Sequence, residues 1–198
     1  MIKSKPAKLH WNYFLSIETD LIKTSRFIEF CGDNLGTYSI ELARILISAS
    51  SEVDVILREI CNLILNDESA NNINDYRKVI QQNLPEIIDE PVFIHRYGLE
   101  FIPWENWNND ENPDWWRSHN KIKHQRNEHF NMANLQNALN SVGALLICVT
   151  YYYRMIFQEK NRGRNIIIDL NKTTELLKPL PQLFKLRNDY YRHPVYLY

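Results

Sequence analysis

The stretch that decides the fold runs from Asp114 to Tyr153, with the sequence DWWRSHNKIKHQRNEHFNMANLQNALNSVGALLICVTYYY. It begins with two tryptophans, continues through a polar and basic segment, and ends in a long apolar segment. Residues spaced i, i+3, i+4 and i+7 share one face of a helix. Four polar residues, called the polar line below, have this spacing: Arg117, Asn120, Lys121 and His124. The spacing predicts a helix whose opposite side, with Trp115, Trp116 and Ile122, faces a core or a partner.

Apolar periodicity outside this segment predicts further amphipathic helices. They are expected at Leu9 to Phe30, Thr37 to Leu65 (with a kink at Ser48 to Ser51), Asp75 to Gln82 and Ala133 to Gln158. The helix with the polar line is expected to break near Phe130 to Met132. Pro91 to Pro103 is rich in β-branched and aromatic residues on both sides of Arg96-Tyr97-Gly98, which predicts a short β-hairpin.

These elements predict a mainly α-helical fold, a bundle of four to five helices with a small inserted hairpin. The 198 residues are expected to form a single domain over positions 1–198, because a chain of this length can bury one substantial core. Towards the C-terminus, Ile166 to Ile168 is expected to be extended and Thr173 to Leu177 to form a helical turn. Residues 179–198 are expected to form an irregular tail.

The composition is that of a soluble globular protein, with 44% hydrophobic and 24% charged residues, and a cytoplasmic location is expected. Cys31, Cys61 and Cys148 lie far apart without CxxC spacing, which favours reduced, buried thiols. The N-terminal segment lacks the apolar core of a signal peptide. The most apolar segment, Val142 to Tyr153, is too short to cross a bilayer, so we expect a buried helix and no membrane association.

The net charge of -1 gives no general attraction to nucleic acid, so any such binding requires a local patch. Five residues that can carry positive charge lie between positions 117 and 126: Arg117, Lys121, Lys123, His124 and Arg126. A guanidinium can bind phosphate through two hydrogen bonds, and an imidazole can transfer a proton near neutral pH. Arg117 and His124 are therefore candidate residues for metal-independent RNA cleavage, with Asn120 orienting a group and Lys121 adding positive charge.

The alternative interpretation of the polar line is an ordinary solvated helix face. In that case the basic side chains pair with acidic residues of the loop Asn108 to Asp114, or with Glu52 and Asp54. The protein would then be a helical interaction protein without chemistry on this face.

Arg117 and His124 also resemble the R-x4-6-H motif of the HEPN superfamily (higher eukaryotes and prokaryotes nucleotide-binding domain). The similarity extends over roughly Ala43 to Tyr153. Three segments carry it: Trp116 with His119-Asn-Lys-Ile-Lys-His-Gln-Arg126, the string Ala133-Asn-Leu…Asn137-Ala-Leu…Ala144-Leu145, and Ser51-Glu52-Val53-Asp54 on the second long helix. The resemblance implies a helical HEPN-like fold.

For function, the resemblance implies a metal-independent endoribonuclease, often part of a toxin–antitoxin or anti-phage defence system. Homodimerisation would bring two motifs together across a cleft, and an antitoxin or defence protein would be a possible partner. Arg117 would then bind the phosphate and His124 would be the acid and base, supported by Asn120, Lys121, Arg126 and Glu52. Since many active members have Asn, Asp or His after the arginine and this chain has Ser118, the alternative is a non-catalytic module that binds nucleotide, RNA or a protein.

A second match to the short motif lies near the C-terminus. Arg187 is followed directly by Asn188, and His193 stands six positions after the arginine. It is an alternative catalytic pair.

His119, His124 and His129 are five residues apart and point in different directions around a helix, so no metal site is expected, and no cofactor motif is present. His10 and His95 have no sequence neighbours that suggest a role. The tryptophans at 104, 107, 115 and 116 could stack on bases, but packing of the loop onto the bundle is the more typical use.

Overall fold

The computed structural model describes residues 7–164 and 168–186. Over these residues the chain forms six α-helices and three short strands. The helices are α1 (Leu9–Thr24), α2 (Ile40–Leu65), α3 (Ile73–Asn83), α4 (Asp114–His129), α5 (Leu135–Lys160) and α6 (Leu170–Leu176), and the strands are β1 (Val92–Ile94), β2 (Leu99–Phe101) and β3 (Lys185–Leu186). The prediction of a mainly helical bundle with a small β element is confirmed, but the described part of the chain has six helices instead of four to five, because the turn expected at 173–177 belongs to the helix α6. Its membership of the HEPN superfamily stays a prediction.

The two long helices, α2 and α5, carry about half of the buried hydrophobic side chains. The Ser39 side chain accepts a hydrogen bond from the Leu42 amide at the start of α2, and the Asn134 side chain does the same for Asn137 in α5. The predicted kink at Ser48 to Ser51 is wrong, because α2 is continuous. Its buried side chains continue on both sides of the serines, and packing of this apolar face outweighs the weak helix preference of serine.

The first helix ends at Thr24, six residues earlier than predicted. The hydroxyl groups of Thr24 and Ser25 donate to the carbonyl oxygens of Asp20 and Ile22 in the last turn. Phe27 is then exposed, whereas Phe30 is buried against Tyr97, with 5.0 Å between the ring centroids. Phe30 therefore contributes to the core from a segment outside the helix.

The predicted hairpin is confirmed. Strands β1 and β2 are antiparallel, with Val92 opposite Phe101, and Gly98 has a φ of 63° at the turn. Few residues other than glycine adopt this left-handed conformation at low cost. The third strand was not predicted: β3 pairs with the other edge of β1, with Leu186 opposite Val92.

A buried carboxylate positions the segment that leads into β3. Glu18 of α1 is 2% exposed and accepts hydrogen bonds from the backbone amides of Gln182, Leu183 and Phe184 at 3.0, 2.8 and 3.0 Å. The predicted irregular tail is therefore ordered at least as far as Leu186, and residues 187–198 lie outside the described part of the chain.

The remaining local predictions have mixed outcomes. The short helices expected near residues 75–82 and 173–177 correspond to α3 and α6. Of the predicted extended segment, only Ile168 is described, and its side chain is buried. No helix in residues 7–164 or 168–186 combines the length and apolar character needed to span a membrane.

Candidate nucleic-acid interface

The orientation of α4 is set by its aromatic side. Trp115, Trp116 and Ile122 are at most 7% exposed, and the Trp115 indole N–H donates to the Pro103 carbonyl at 2.9 Å. Trp104 and Trp107 are fully buried, and the Trp104 ring meets Trp115 edge-on at 5.1 Å. All four of these tryptophans pack in the core, so in this structure their rings are not available for base stacking.

On the opposite side of α4, the polar line faces the solvent. All four of its members are exposed: Arg117, Asn120, Lys121 and His124. The helix is interrupted directly after them, because Gln125 has φ -137° and ψ 45°. The predicted break at Phe130 to Met132 is present as a 3-10 turn, but this earlier interruption was not predicted. Arg126 therefore follows the interruption and does not continue the helical face.

Arg117 is engaged by two acidic residues. Its guanidinium donates to the Asp114 carboxylate and lies 4.0 Å from that of Glu111. The hydrogen bond that Arg117 donates to Asp114 raises the pKa of Arg117. These are the loop carboxylates that the solvated-face interpretation names. Because all three side chains are at least half exposed, the pair contributes about 1 kcal/mol or less and can exchange for a phosphate.

The other cations of this segment have no such neighbour. Within the described part of the chain, no carboxylate lies within 4.0 Å of the charged groups of Lys121, Lys123 or Arg126. All three side chains are exposed, as is His124. The segment from 117 to 126 is therefore a local positive patch on a chain with a net charge of -1.

The residues of the positive patch border three separate hollows. Arg117 and Lys121 line a cleft of about 420 Å³ between α4 and the start of α5, called the α4–α5 cleft below. His124 and Arg126 border a hollow of about 480 Å³ formed by residues 123–128 alone. Arg126 also borders an apolar groove of about 720 Å³ beside Ile40 and Ile47 of α2. The structure thus places Arg117 and His124 on one exposed helix face but at different hollows.

The floor of the α4–α5 cleft is made by two polar side chains that are more than nine-tenths buried. Asn137 is 8% exposed, and its amide nitrogen donates to Ser118 Oγ at 3.1 Å and to the Met132 carbonyl at 2.9 Å. Ser118 is 7% exposed. Ser118, the departure from the usual HEPN motif, is thus a hydrogen-bonding partner of α5.

A second cleft continues from the first towards the hairpin. It has a volume of about 510 Å³, is called the hairpin cleft below, and shares Asp114, Gln136 and Asn137 with the α4–α5 cleft. Glu100 and Glu105 lie on its far side. This cleft was not predicted, because it depends on the contact of β2 with α5, which are far apart in sequence.

Glu52, predicted as a supporting residue, lies on α2 and contacts α1. Its carboxylate accepts a hydrogen bond from His10 Nδ1 at 2.6 Å, and the His10 ring meets Tyr152 edge-on at 5.3 Å. His10, which has no suggestive sequence neighbour, therefore has a partner 42 positions away. The alternative pair Arg187 and His193, with Asn188, lies outside the described residues.

His119 lies between the two faces of α4 and is 5% exposed. Neither ring nitrogen has a hydrogen-bonding partner among the described residues, and the ring meets Trp116 edge-on. Burial, with smaller contributions from Lys123 and His124, lowers the pKa of His119 to about 4. The imidazole is therefore neutral in the folded protein above that pH.

We expect acid to destabilise the protein through His119. Between pH 6.5 and about 4 the unfolded chain binds a proton at this residue and the folded chain does not, so stability falls as the pH falls through this window. The expected loss between pH 7 and pH 4.5 is about 2 kcal/mol, measurable by urea unfolding at the two pH values. In His119→Phe this part of the pH dependence should disappear, whereas His124→Phe, at an exposed position, should keep it. Equal pH dependence in the unmodified protein and His119→Phe would contradict the assignment.

Comparison with protein-family models, with curated proteins and with solved structures gives no match for this chain.

Proposed function

We propose that this protein binds single-stranded RNA through the positive patch at residues 117–126. The observation that carries the proposal is the exposure of Lys121, Lys123 and Arg126, without an ion-pairing carboxylate in the described structure, on a chain of net charge -1. Binding of cations to phosphates releases counterions and supplies most of the affinity of non-specific RNA binding. Arg117 joins the patch when a phosphate replaces Asp114.

RNA is the proposed ligand because of the resemblance to the HEPN superfamily and because the patch borders clefts lined by polar side chains. The helix that carries the patch is interrupted at Gln125, so its cations do not form a regular array. The phosphates of a flexible single strand can adapt to such an arrangement, whereas those of a rigid duplex are held in a regular one. The cytoplasmic location and a partner such as an antitoxin or defence protein remain parts of the same proposal.

The second candidate function is metal-independent cleavage of the bound RNA. It is favoured by the exposure of Arg117 and His124 on one face, two helical turns apart, which corresponds to a rise of about 10 Å. Since they border different hollows, a phosphate bound by Arg117 would reach His124 most directly in a homodimer, from the second copy. The non-catalytic alternative is favoured by the engagement of Arg117 with Asp114.

RNA binding is tested with a triple variant, Lys121→Ala, Lys123→Ala and Arg126→Ala. We expect its affinity for a fluorescein-labelled single-stranded RNA to fall at least about tenfold, and the slope of log K against log salt to decrease by about 2, because each lost phosphate contact removes about 0.7. The measurement is fluorescence anisotropy at several salt concentrations.

The matched control removes two lysines and one arginine at exposed positions elsewhere: Lys78→Ala, Lys160→Ala and Arg164→Ala. Its net charge is the same as that of the test variant, so a purely global charge effect would weaken both equally. Equal weakening, or no binding by the unmodified protein at low salt, would refute the proposal.

A further inference from the structure

The two joined clefts have opposite electrostatic character. Asp114 lines both clefts and pairs with Arg117. The other charged residues differ, because the α4–α5 cleft presents Arg117 and Lys121 and the hairpin cleft presents Glu100 and Glu105. Both carboxylates are exposed at the surface and have no ion pair in the described part of the chain. A phosphate is therefore attracted to the first cleft and repelled by the second.

Where the two clefts meet, the hydrogen-bonding groups that are free to contact a ligand belong to side chains and not to the backbone. The first three amides of α5 are already bonded, those of Leu135 and Gln136 to carbonyls of Thr37 and Leu35 and that of Asn137 to the Asn134 side chain. The Asn137 amide nitrogen is also bonded, to Ser118 and Met132. The side-chain oxygen of Asn137, in a residue that is 92% buried, accepts no hydrogen bond from the described residues, and the residue lines both clefts. An amide oxygen that lines both clefts and has no donor in the described structure favours a ligand that donates a hydrogen bond.

The wall of the hairpin cleft is apolar and depends on Gly143. A Cβ atom at this position would lie 2.7 Å from the Phe101 ring and 3.3 Å from Pro103. The absence of a side chain at Gly143 thus lets β2 pack directly on α5. Phe101, which is partly exposed, and the buried Pro103 line the cleft and offer apolar contact to a planar ring.

We propose that the hairpin cleft binds an RNA base that carries an exocyclic amino group, while the adjoining phosphate lies at Arg117 and Lys121. Glu100, Glu105 and the Asn137 oxygen accept hydrogen bonds, and adenine, cytosine and guanine donate them through their amino groups. Uracil has a carbonyl oxygen in place of that amino group and keeps only its ring N3–H as a donor, so it forms less favourable contacts with these acceptors. This inference rests on the proposed RNA binding and adds a base preference to it.

The experiment compares fluorescein-labelled ten-nucleotide oligomers of adenylate, cytidylate and uridylate by anisotropy at constant salt. The unmodified protein should bind the adenylate or cytidylate oligomer about tenfold more tightly than the uridylate oligomer, since one good side-chain–base pair gives about this discrimination. In the double variant Glu100→Gln, Glu105→Gln the preference should fall to about twofold, because glutamine can also donate to uracil. The control Glu29→Gln, Glu68→Gln removes the same charge at exposed positions and should keep the preference.

The possible results separate the two proposals. Equal binding of the three oligomers would overturn the base preference and leave RNA binding intact. A preference that survives unchanged in Glu100→Gln, Glu105→Gln would overturn the assignment to this cleft. If no oligomer binds, RNA binding itself fails, and the base preference with it. If the protein prefers the adenylate or cytidylate oligomer but cleaves none of the three, the base preference is supported and only the nuclease activity is excluded.

Discussion

Replacing His124 with alanine is expected to lower metal-independent RNA cleavage by about 100-fold or more, because general acid and base catalysis typically contributes that much. Arg117→Ala is expected to lower it comparably through loss of charge stabilisation at the phosphate. Both side chains are exposed, so the free energy of unfolding should change by about 1 kcal/mol or less. The measurement is cleavage of a labelled RNA in the presence of EDTA, together with a urea unfolding curve for each variant.

His95→Ala is the matched control, since His95 is another exposed histidine, at the hairpin turn. Full activity in both Arg117→Ala and His124→Ala would exclude this pair, and testing Arg187→Ala and His193→Ala would then decide on the C-terminal pair. If the site is shared between two copies, mixing inactive Arg117→Ala and His124→Ala proteins should restore about a quarter of the activity, because half of the dimers form one intact site of two. No recovery on mixing, with a dimer shown by solution mass, would place both residues of a site on one chain.

The second large effect concerns stability. Glu18→Ala is expected to reduce the free energy of unfolding by about 4 kcal/mol, because three buried amides lose a charged acceptor. Denaturant unfolding measures the loss, and hydrogen exchange should show faster exchange at Gln182, Leu183 and Phe184. Glu18→Gln keeps one acceptor oxygen, so its free energy of unfolding should fall by less than that of Glu18→Ala.

Glu29→Ala, at an exposed position just after the same helix, is the control and should change stability by less than about 0.5 kcal/mol. A Glu18→Ala variant as stable as this control would show that the three hydrogen bonds contribute nothing net. Unchanged exchange at residues 182–184 would show that other contacts hold the segment.

Local periodicity was enough to predict the two-sided character of α4. The spacing of Trp115 and Ile122 against Arg117 and His124 follows from helix geometry alone, and the structure keeps it. The hairpin was predictable for the same reason, since Gly98 and its flanking residues are adjacent in sequence. These features depend on contacts within a few residues.

The features that were missed depend on residues far apart in sequence. Glu18 bonds amides 164 to 166 positions away, and His10 pairs with Glu52 across 42 positions. The hairpin cleft requires Phe101 to rest on Gly143, and nothing local to either residue indicates this contact. The interruption at Gln125 falls in a segment of ordinary helix-forming residues, and we have no physical account of it.

The pairing of β3 with β1 has a consequence for synthesis on the ribosome. Residues 92–94 leave the exit tunnel about 90 residues before their partners at 185–186, so the middle strand of the sheet first exists as an open edge. Until translation of the partner segment, the amides and carbonyls on that edge can recruit a strand from another nascent chain. Slow translation or truncation before residue 185 should therefore favour aggregation of the emerging polypeptide.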